Sequence, residues 1–160
     1  MSISVRKATE TDFESVFSLV HELAVFQGTP ERIQNSVKQM IQEKEFFQCF
    51  VAETQEHEIV GMASFFFAYY TWVGKSLFLD DLYVKQSHRG QKIGSSLLSA
   101  VVDLARTSNC KRVRWLVSEW NKDAIKFYKS IGAEIDEEAY VCDLEGNALL
   151  RFHERTIPFS

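Results

Sequence analysis

The stretch from Leu77 to Ala105 constrains this chain more than any other. It reads L-F-L-D-D-L-Y-V, then K-Q-S-H-R-G-Q-K-I-G-S, then S-L-L-S-A-V-V-D-L-A. An apolar, strand-like run enters a short basic turn with two glycines, and the turn opens a helix. Backbone N–H groups at a helix start have no acceptor within the helix, and the helix dipole favours negative charge there. With Arg89 and Lys92 alongside, the turn is a candidate anion site, and phosphate is the obvious anion. It is not G-x-G-x-x-G, and no G-K-[ST] follows at P-loop spacing, so dinucleotide and Walker-type motifs fit poorly. Taken alone, Gly90 and Gly94 are equally compatible with a plain strand-to-helix turn.

The rest of the chain supplies partners for this unit. Ile3 to Lys7 alternates like a strand. T-E-T-D from Thr9 resembles a capping box with Asp12 in the Glu position. Phe13, Val16, Phe17, Val20, Leu23 and Ala24 then follow helical spacing up to Gly28. Thr29-Pro30-Glu31 predicts a second helix start, with Ile33, Val37, Met40 and Ile41 as its buried stripe. Strands are predicted over Phe46–Glu53, Ile59–Trp72 and Lys75–Val84, with Gly61 marking a close approach or a bulge. A helix over Lys92–Ser108 carries Ile93, Leu97, Leu98, Val101, Leu104 and Ala105. A strand over Arg112–Val117 follows. Asn121 caps a further helix with Ala124, Phe127, Tyr128 and Ile131 on one face, stopped by Gly132. Two closing strands are predicted over Ala133–Leu144 and Leu149–Phe159. The order β-α-α-β-β-β-α-β-α-β-β implies an α+β fold, a mixed, mainly antiparallel sheet with helices on both faces.

At 160 residues the chain is expected to be one domain, 1–160. Net charge is −4, against the basic excess of a nucleic-acid binder; a small cationic partner suits it better. Lys111, Arg112 and Arg114 read as a solvated face. Cys49, Cys110 and Cys142 are odd in number and far apart, so no disulfide framework is expected. The four histidines show no metal-ligand spacing, so no metal is expected. M-S-I-S-V-R-K lacks a signal-peptide core, and the apolar run near Met62–Val73 is short for a membrane span. A cytoplasmic protein with no membrane partner is expected.

A second motif narrows the anion site. V-S-E-W-N-K-D-A-I-K-F-Y-K-S-I-G-A occupies Val117 to Ala133. Together with Arg89–Gly94 it resembles the GNAT superfamily of acyl-CoA-dependent N-acetyltransferases, whose [RQ]-x-x-G-x-[GA] turn holds the coenzyme A pyrophosphate. That family's N-x-x-[AS]-x-x-[FL]-Y-x-x-x-G-[FA] helix carries a tyrosine beside the thioester sulfur. T-W-V-G-K-S-L-F-L-D-D-L-Y-V, H-E-L-A-V-F and F-F-Q-C-F-V-A-E also resemble the spermidine/spermine and thialysine acetyltransferase branch. There are three departures. Lys92 stands where the family usually has Gly, Asp80 where the branch has Glu, and Tyr70-Thr71 precedes Trp72 where polyamine enzymes tend to carry an acid.

The resemblance implies acetyl-CoA as co-substrate, a primary amine of a small cationic acceptor (diamine, polyamine or thialysine-like amino acid) and a homodimer. It places acetyl-CoA against Leu82, Tyr83, Val84, Arg89, Gly90, Gln91, Lys92, Ile93, Gly94, Ser95, Asn121, Ala124 and Tyr128. Tyr128 is implied as general acid, although a tyrosine on an apolar helix face is often only core. Asp80 is implied at the amine, by binding it or relaying its proton, with Glu31 and Trp72 as further substrate contacts. Strand alternation is expected to point Asp80 and Asp81 to opposite faces. A non-catalytic acyl-CoA-binding sensor on the same fold and a nucleic-acid-binding module are the alternatives from other classes.

Overall fold

The computed structural model describes residues 3–152. The chain divides into two compact units, Met1–Leu116 and Val117–Ser160. The first contains a five-stranded sheet in the order β1-β2-β3-β4-β5, formed by Ile3–Lys7, Gln48–Thr54, Ile59–Tyr70, Gly74–Val84 and Val113–Arg114. β1 to β4 are antiparallel neighbours, and β5 joins β4 in parallel.

Helices cover both faces of this sheet. On one face α1 (Phe13–Gln27) and α2 (Val37–Gln42) set Phe13, Val16, Leu19 and Met40 against Cys49, Val51, Met62 and Tyr83. On the other, α3 (Ile93–Thr107) buries Ile93, Leu97, Leu98, Val101 and Ala105, leaving Leu104 of the expected stripe only half-buried. With both faces covered, β3 reads as the nearly continuous apolar run Val60–Phe65 rather than an alternating one. Gly61 is where α3 comes closest. A Cβ there would lie 3.1 Å from Leu97 Cδ1 and 3.2 Å from the Tyr83 carbonyl. The β2–β3 register also slips opposite it, between Ala52 and Glu53.

The start of α1 follows the predicted capping box. Asp12 accepts from the Thr9 N–H at 2.8 Å, and a 3-10 turn over Glu10–Asp12 leads into the helix. Arg6 grips the same carboxylate at 2.8 and 2.9 Å, which holds Asp12 down at about 2. The second helix departs from expectation. Pro30–Arg32 makes only a 3-10 turn, because Thr29 provides no side-chain cap and Ile33 is extended. The helix starts instead at Ser36, whose Oγ accepts from the Gln39 N–H. Ile41 of the expected stripe is exposed.

The second unit holds α4 (Lys122–Ser130) and α5 (Gly146–Leu150). The two closing strands are not found: residues 117–152 contain none, and residues 153–159 of the last predicted strand lie outside the described ones. Two local effects oppose extension. Asp136 Oδ1 accepts from the Glu138 and Ala139 N–H groups, a turn within the first predicted strand. Leu149 and Leu150 belong to α5. The expected element order therefore holds through α4 and ends differently. Among the described residues no helix is long and apolar enough to cross a membrane.

Candidate active site

Three local features of the first unit meet along β4. The first is an open edge. Among the described residues β5 pairs with β4 only at Leu77–Val113 and Phe78–Arg114, and β4 from Leu79 onward has no strand neighbour on that side. The Lys85 N–H donates to the Val60 carbonyl at 2.9 Å, toward β3. By strand alternation Leu82 and Val84 then direct their amide groups to the open side.

The second feature is a bulge. Pairing steps from Ser64–Asp81 to Phe65–Leu79, leaving Asp80 as the extra residue. Leu79, with Phe65, is buried toward α3. Asp81, paired with Ser64, lies on the opposite face with Tyr83 and Met62, and Asp80 lies on that face too, in alternation with Leu79. The bulge thus cancels the expected alternation and sets two carboxylates side by side. Burial, followed by the charge of Asp80, pushes Asp81 up to about 6. Asp80 is exposed to solvent, yet enough protein crowds it for desolvation to raise its pKa. Ser64 Oγ accepts from the Asp81 N–H at 3.2 Å and fixes the bulge.

The third feature is the turn that follows. Gly90 (φ 79°) and Lys92 (φ 61°) are both left-handed. A side chain in that region costs about 1 kcal/mol or more, which accounts for the glycine usual at the Lys92 position. Lys92 is the N-cap of α3 and offers no capping side chain, unlike Ser36 and Asn121 at α2 and α4. The N–H groups of Ile93, Gly94 and Ser95 have no intrahelical acceptor, and no other hydrogen bond reaches them among the described residues. A Cβ on Gly94 would meet only Val84 Cγ2, at 3.8 Å. The protein's own packing does not require that glycine, and the space beside it suits an anion.

Arg89 does not point its guanidinium into this cradle. Its Nε donates to the Val84 carbonyl at 3.1 Å, and the group stacks on Phe26 (4.8 Å) and Tyr83 (5.4 Å). Tyr83 in turn donates its hydroxyl to Glu22 at 3.3 Å. The side chain of Arg89 thus fastens the turn to the end of β4 and the end of α1.

The Acetyltransferase (GNAT) family profile matches residues 13–133. The chain belongs to this acetyltransferase family. It is 34% identical over 149 residues to the thialysine N-epsilon-acetyltransferase of Sus scrofa, covering 86% of this chain and 88% of that protein. It is also 29% identical over 164 residues to the human spermidine/spermine N(1)-acetyltransferase-like protein 1, covering 96% of this chain and 23% of that longer protein. Among solved structures, an integron cassette protein from the mobile metagenome of V. cholerae shares the fold, with a TM-score of 0.78 at 24% identity over 97% of this chain and 99% of that one. As a GNAT protein the chain is an acetyl-CoA-dependent enzyme that transfers acetyl groups to amines.

The second GNAT motif forms α4. Asn121 Oδ1 accepts from the Ala124 N–H at 3.3 Å. At the other end the Gly132 and Ala133 N–H groups donate to the Lys129 and Tyr128 carbonyls, a Schellman closure. Much of the motif is therefore spent on capping. The expected buried stripe is not realised, since no α4 residue is buried among the described ones. Tyr128 is half-buried beside Phe127, with ring centroids 5.5 Å apart, and burial raises its phenol pKa.

The remaining expected residues lie apart from the bulge. Trp72 is 98% exposed at the tip of the β3–β4 hairpin. Asp80 is six residues beyond Gly74, about 20 Å along the strand. Glu31 is exposed in its 3-10 turn, and no hydrogen bond or ion pair among the described residues links it to Asp80. No group of three or more metal-ligating side chains occurs among the described residues.

Proposed function

We propose that this chain transfers the acetyl group of acetyl-CoA to a primary amine of a small cationic acceptor, either a diamine or polyamine or an amino acid of thialysine type. The observation that carries the proposal is the open edge of β4, which has the Asp80 bulge within it and ends at the uncapped start of α3. The acceptors named in the relatives, thialysine and spermidine/spermine, belong to this class.

Leu82 and Val84 would hold the pantetheine arm by their backbone groups, alongside Tyr83. The N–H groups from Arg89 through Gly90, Gln91, Lys92, Ile93 and Gly94 to Ser95 would hold the pyrophosphate. Asn121 and Ala124 are carried in the cofactor set by the motif. Acetyl-CoA supplies an acyl group activated as a thioester, open to direct attack by a neutral amine. Asp80 holds the cationic acceptor. Asp81, near 6, lies closer to working pH than an ordinary carboxylate and takes up the ammonium proton through water. A backbone N–H on the free edge of β4 supports the developing oxyanion. Tyr128, kept protonated by its raised pKa, donates to the departing thiolate. Trp72 and Glu31 contribute to substrate entry rather than to the contacts at Asp80. A cytoplasmic homodimer, with no nucleic acid or membrane required, completes the proposal; Phe46, Tyr69 and Trp72 are exposed aromatics compatible with such an interface.

Thiol release from acetyl-CoA with a panel of amines tests the proposal. Acetyl-CoA binding without thiol release would instead identify a sensor. Asp80→Ala is expected to raise the KM for the amine about tenfold, the value of roughly one charge-assisted hydrogen bond, with the KM for acetyl-CoA unchanged. An equal change in both would make Asp80 a structural residue. Arg89→Ala is expected to do the reverse, raising the acetyl-CoA KM several-fold by loosening the turn. Phosphate contact through the guanidinium itself would show as a loss that Arg89→Gln fails to moderate.

A further inference from the structure

The sheet face that carries Asp80 also carries two guanidinium groups that no described residue neutralises. Phe78 alternates onto this face and stacks on Phe66 at 5.2 Å. Arg114 is paired with Phe78 in the parallel β4–β5 ladder and so shares its face. Arg112, two residues earlier, shares it by the period of a strand. Both side chains converge on one ring. Their guanidinium carbons lie 4.3 Å (Arg112) and 4.9 Å (Arg114) from the centroid of Tyr70.

Stacking on an aromatic ring leaves the charge in place. Neither arginine has an ion-pair partner among the described residues. Arg112 Nε is buried with no hydrogen-bond partner, although a buried donor of this kind normally has one. The face is therefore electrostatically two-ended, with Asp80 and Asp81 at one end and two guanidinium groups at the other. Tyr70 pairs with Gly74, so the two guanidinium groups lie on the hairpin side of the Phe78–Arg114 position, which is itself two residues, about 7 Å, from Asp80. An extended amino acid with a terminal side-chain amine spans roughly 7 Å from that nitrogen to its carboxylate by bond geometry, and a hydrogen bond of about 2.8 Å at each end, with Arg114 turning from Tyr70 toward Phe78, covers the remainder.

We infer that Arg114, supported by Arg112, binds the α-carboxylate of an amino-acid acceptor whose side-chain amine lies at Asp80, and that this selects amino acids over diamines and polyamines. The inference rests on the acceptor site proposed above. A planar guanidinium takes a carboxylate through two parallel hydrogen bonds. A diamine of the same length would bring its second ammonium to the same two cations, so the electrostatic contribution changes sign between the two acceptors. Of Lys111, Arg112 and Arg114, expected from the sequence to be a solvated face, Lys111 and Arg114 are exposed as expected and Arg112 is half-buried.

Matched acceptor pairs test the inference: L-lysine against 1,5-diaminopentane, and thialysine against its decarboxylated diamine. In the wild-type enzyme kcat/KM is expected to favour the amino acid of each pair by about tenfold or more, the range for a charge-assisted pair. Arg114→Gln is expected to remove that preference, lowering the amino-acid value about tenfold while leaving the diamine value unchanged or raised. Arg114→Lys should restore part of it. The wild-type comparison needs no variant, so a folding defect in Arg114→Gln does not decide the outcome. A wild-type preference for diamines, or an equal loss for both acceptors in Arg114→Gln, overturns the inference. If diamines then still turn over and Asp80→Ala still raises their KM, acetyl transfer at Asp80 stands without the carboxylate site. If no amine of either kind turns over, the acceptor site itself falls, and the carboxylate site with it.

Discussion

Tyr128→Phe is expected to lower kcat for acetyl transfer roughly 10²-fold, the range for loss of one acid–base group, and to leave the KM for acetyl-CoA nearly unchanged. The substitution removes one oxygen and keeps the ring, so packing against Phe127 at 5.5 Å survives. The capping bonds at both ends of α4 come from Asn121 and from the backbone at Gly132 and Ala133, and these also survive. The chemistry explains why the loss falls on turnover. A departing thiolate with a pKa near 8.5 can take its proton from a positioned phenol of pKa about 10 as the C–S bond breaks, an uphill transfer of about 1.5 units that positioning offsets. Burial of Tyr128 raises its phenol further, so the group stays protonated across the physiological range. Single-turnover rates with a saturating amine would isolate the step. A variant that turns over at the wild-type rate would remove Tyr128 from the mechanism.

What the sequence made legible, and what it hid, follows from how far each interaction reaches along the chain. The capping box at Thr9, the end of α1 at Gly28, the α3 stripe and both ends of α4 depend on neighbours within a few residues, and all could be read directly. The strand–turn–helix from Leu77 was legible for the same reason. The bulge at Asp80 was not, because it is a property of the pairing with Ser64 and Phe65, more than a dozen residues away. Without it, Asp80 and Asp81 were assigned opposite faces. The clamp of Arg89 between Phe26 and Tyr83 joins three separate elements, and an arginine in a glycine turn gave no sign of being engaged elsewhere. The partial burial of Arg112 was hidden because β5 is so short that its pattern spans barely one alternation, whereas Arg114 is exposed as expected. The first closing strand failed for the opposite reason. Its β-forming residues are interrupted by an Asp136 turn, the start of the second falls in α5, and strand propensity expresses itself only where a neighbouring strand is available to pair.

The bulge leads to the second large effect, on stability. Asp81→Asn is expected to stabilise the protein at pH 7.5 by about 2 kcal/mol, a rise in Tm of roughly 4–8 °C for a chain of this size, and to have almost no effect at pH 4. The sign follows from the shift. Asp81 sits near 6 in the folded protein, raised from 3.8 by burial and by Asp80. Between these values the folded state holds a proton that the unfolded chain has released, so stability falls as pH rises from about 4 to about 6. Above that window the folded protein carries the full cost of a desolvated carboxylate beside a second one, and below it the cost vanishes. Asparagine keeps the shape and the backbone bond to Ser64 while removing the charge. Asp12 behaves oppositely. Held at about 2 by Arg6, it adds stability that is present above 3.8 and lost as pH falls toward 2, in variant and wild type alike. The difference between the two melting curves therefore isolates Asp81. An equal gain at both pH values would point to improved packing and would remove the charge explanation. The same variant should lose acetyl-transfer activity, because a carboxylate kept beside another at a cost in stability is expected where a cation must be held and deprotonated.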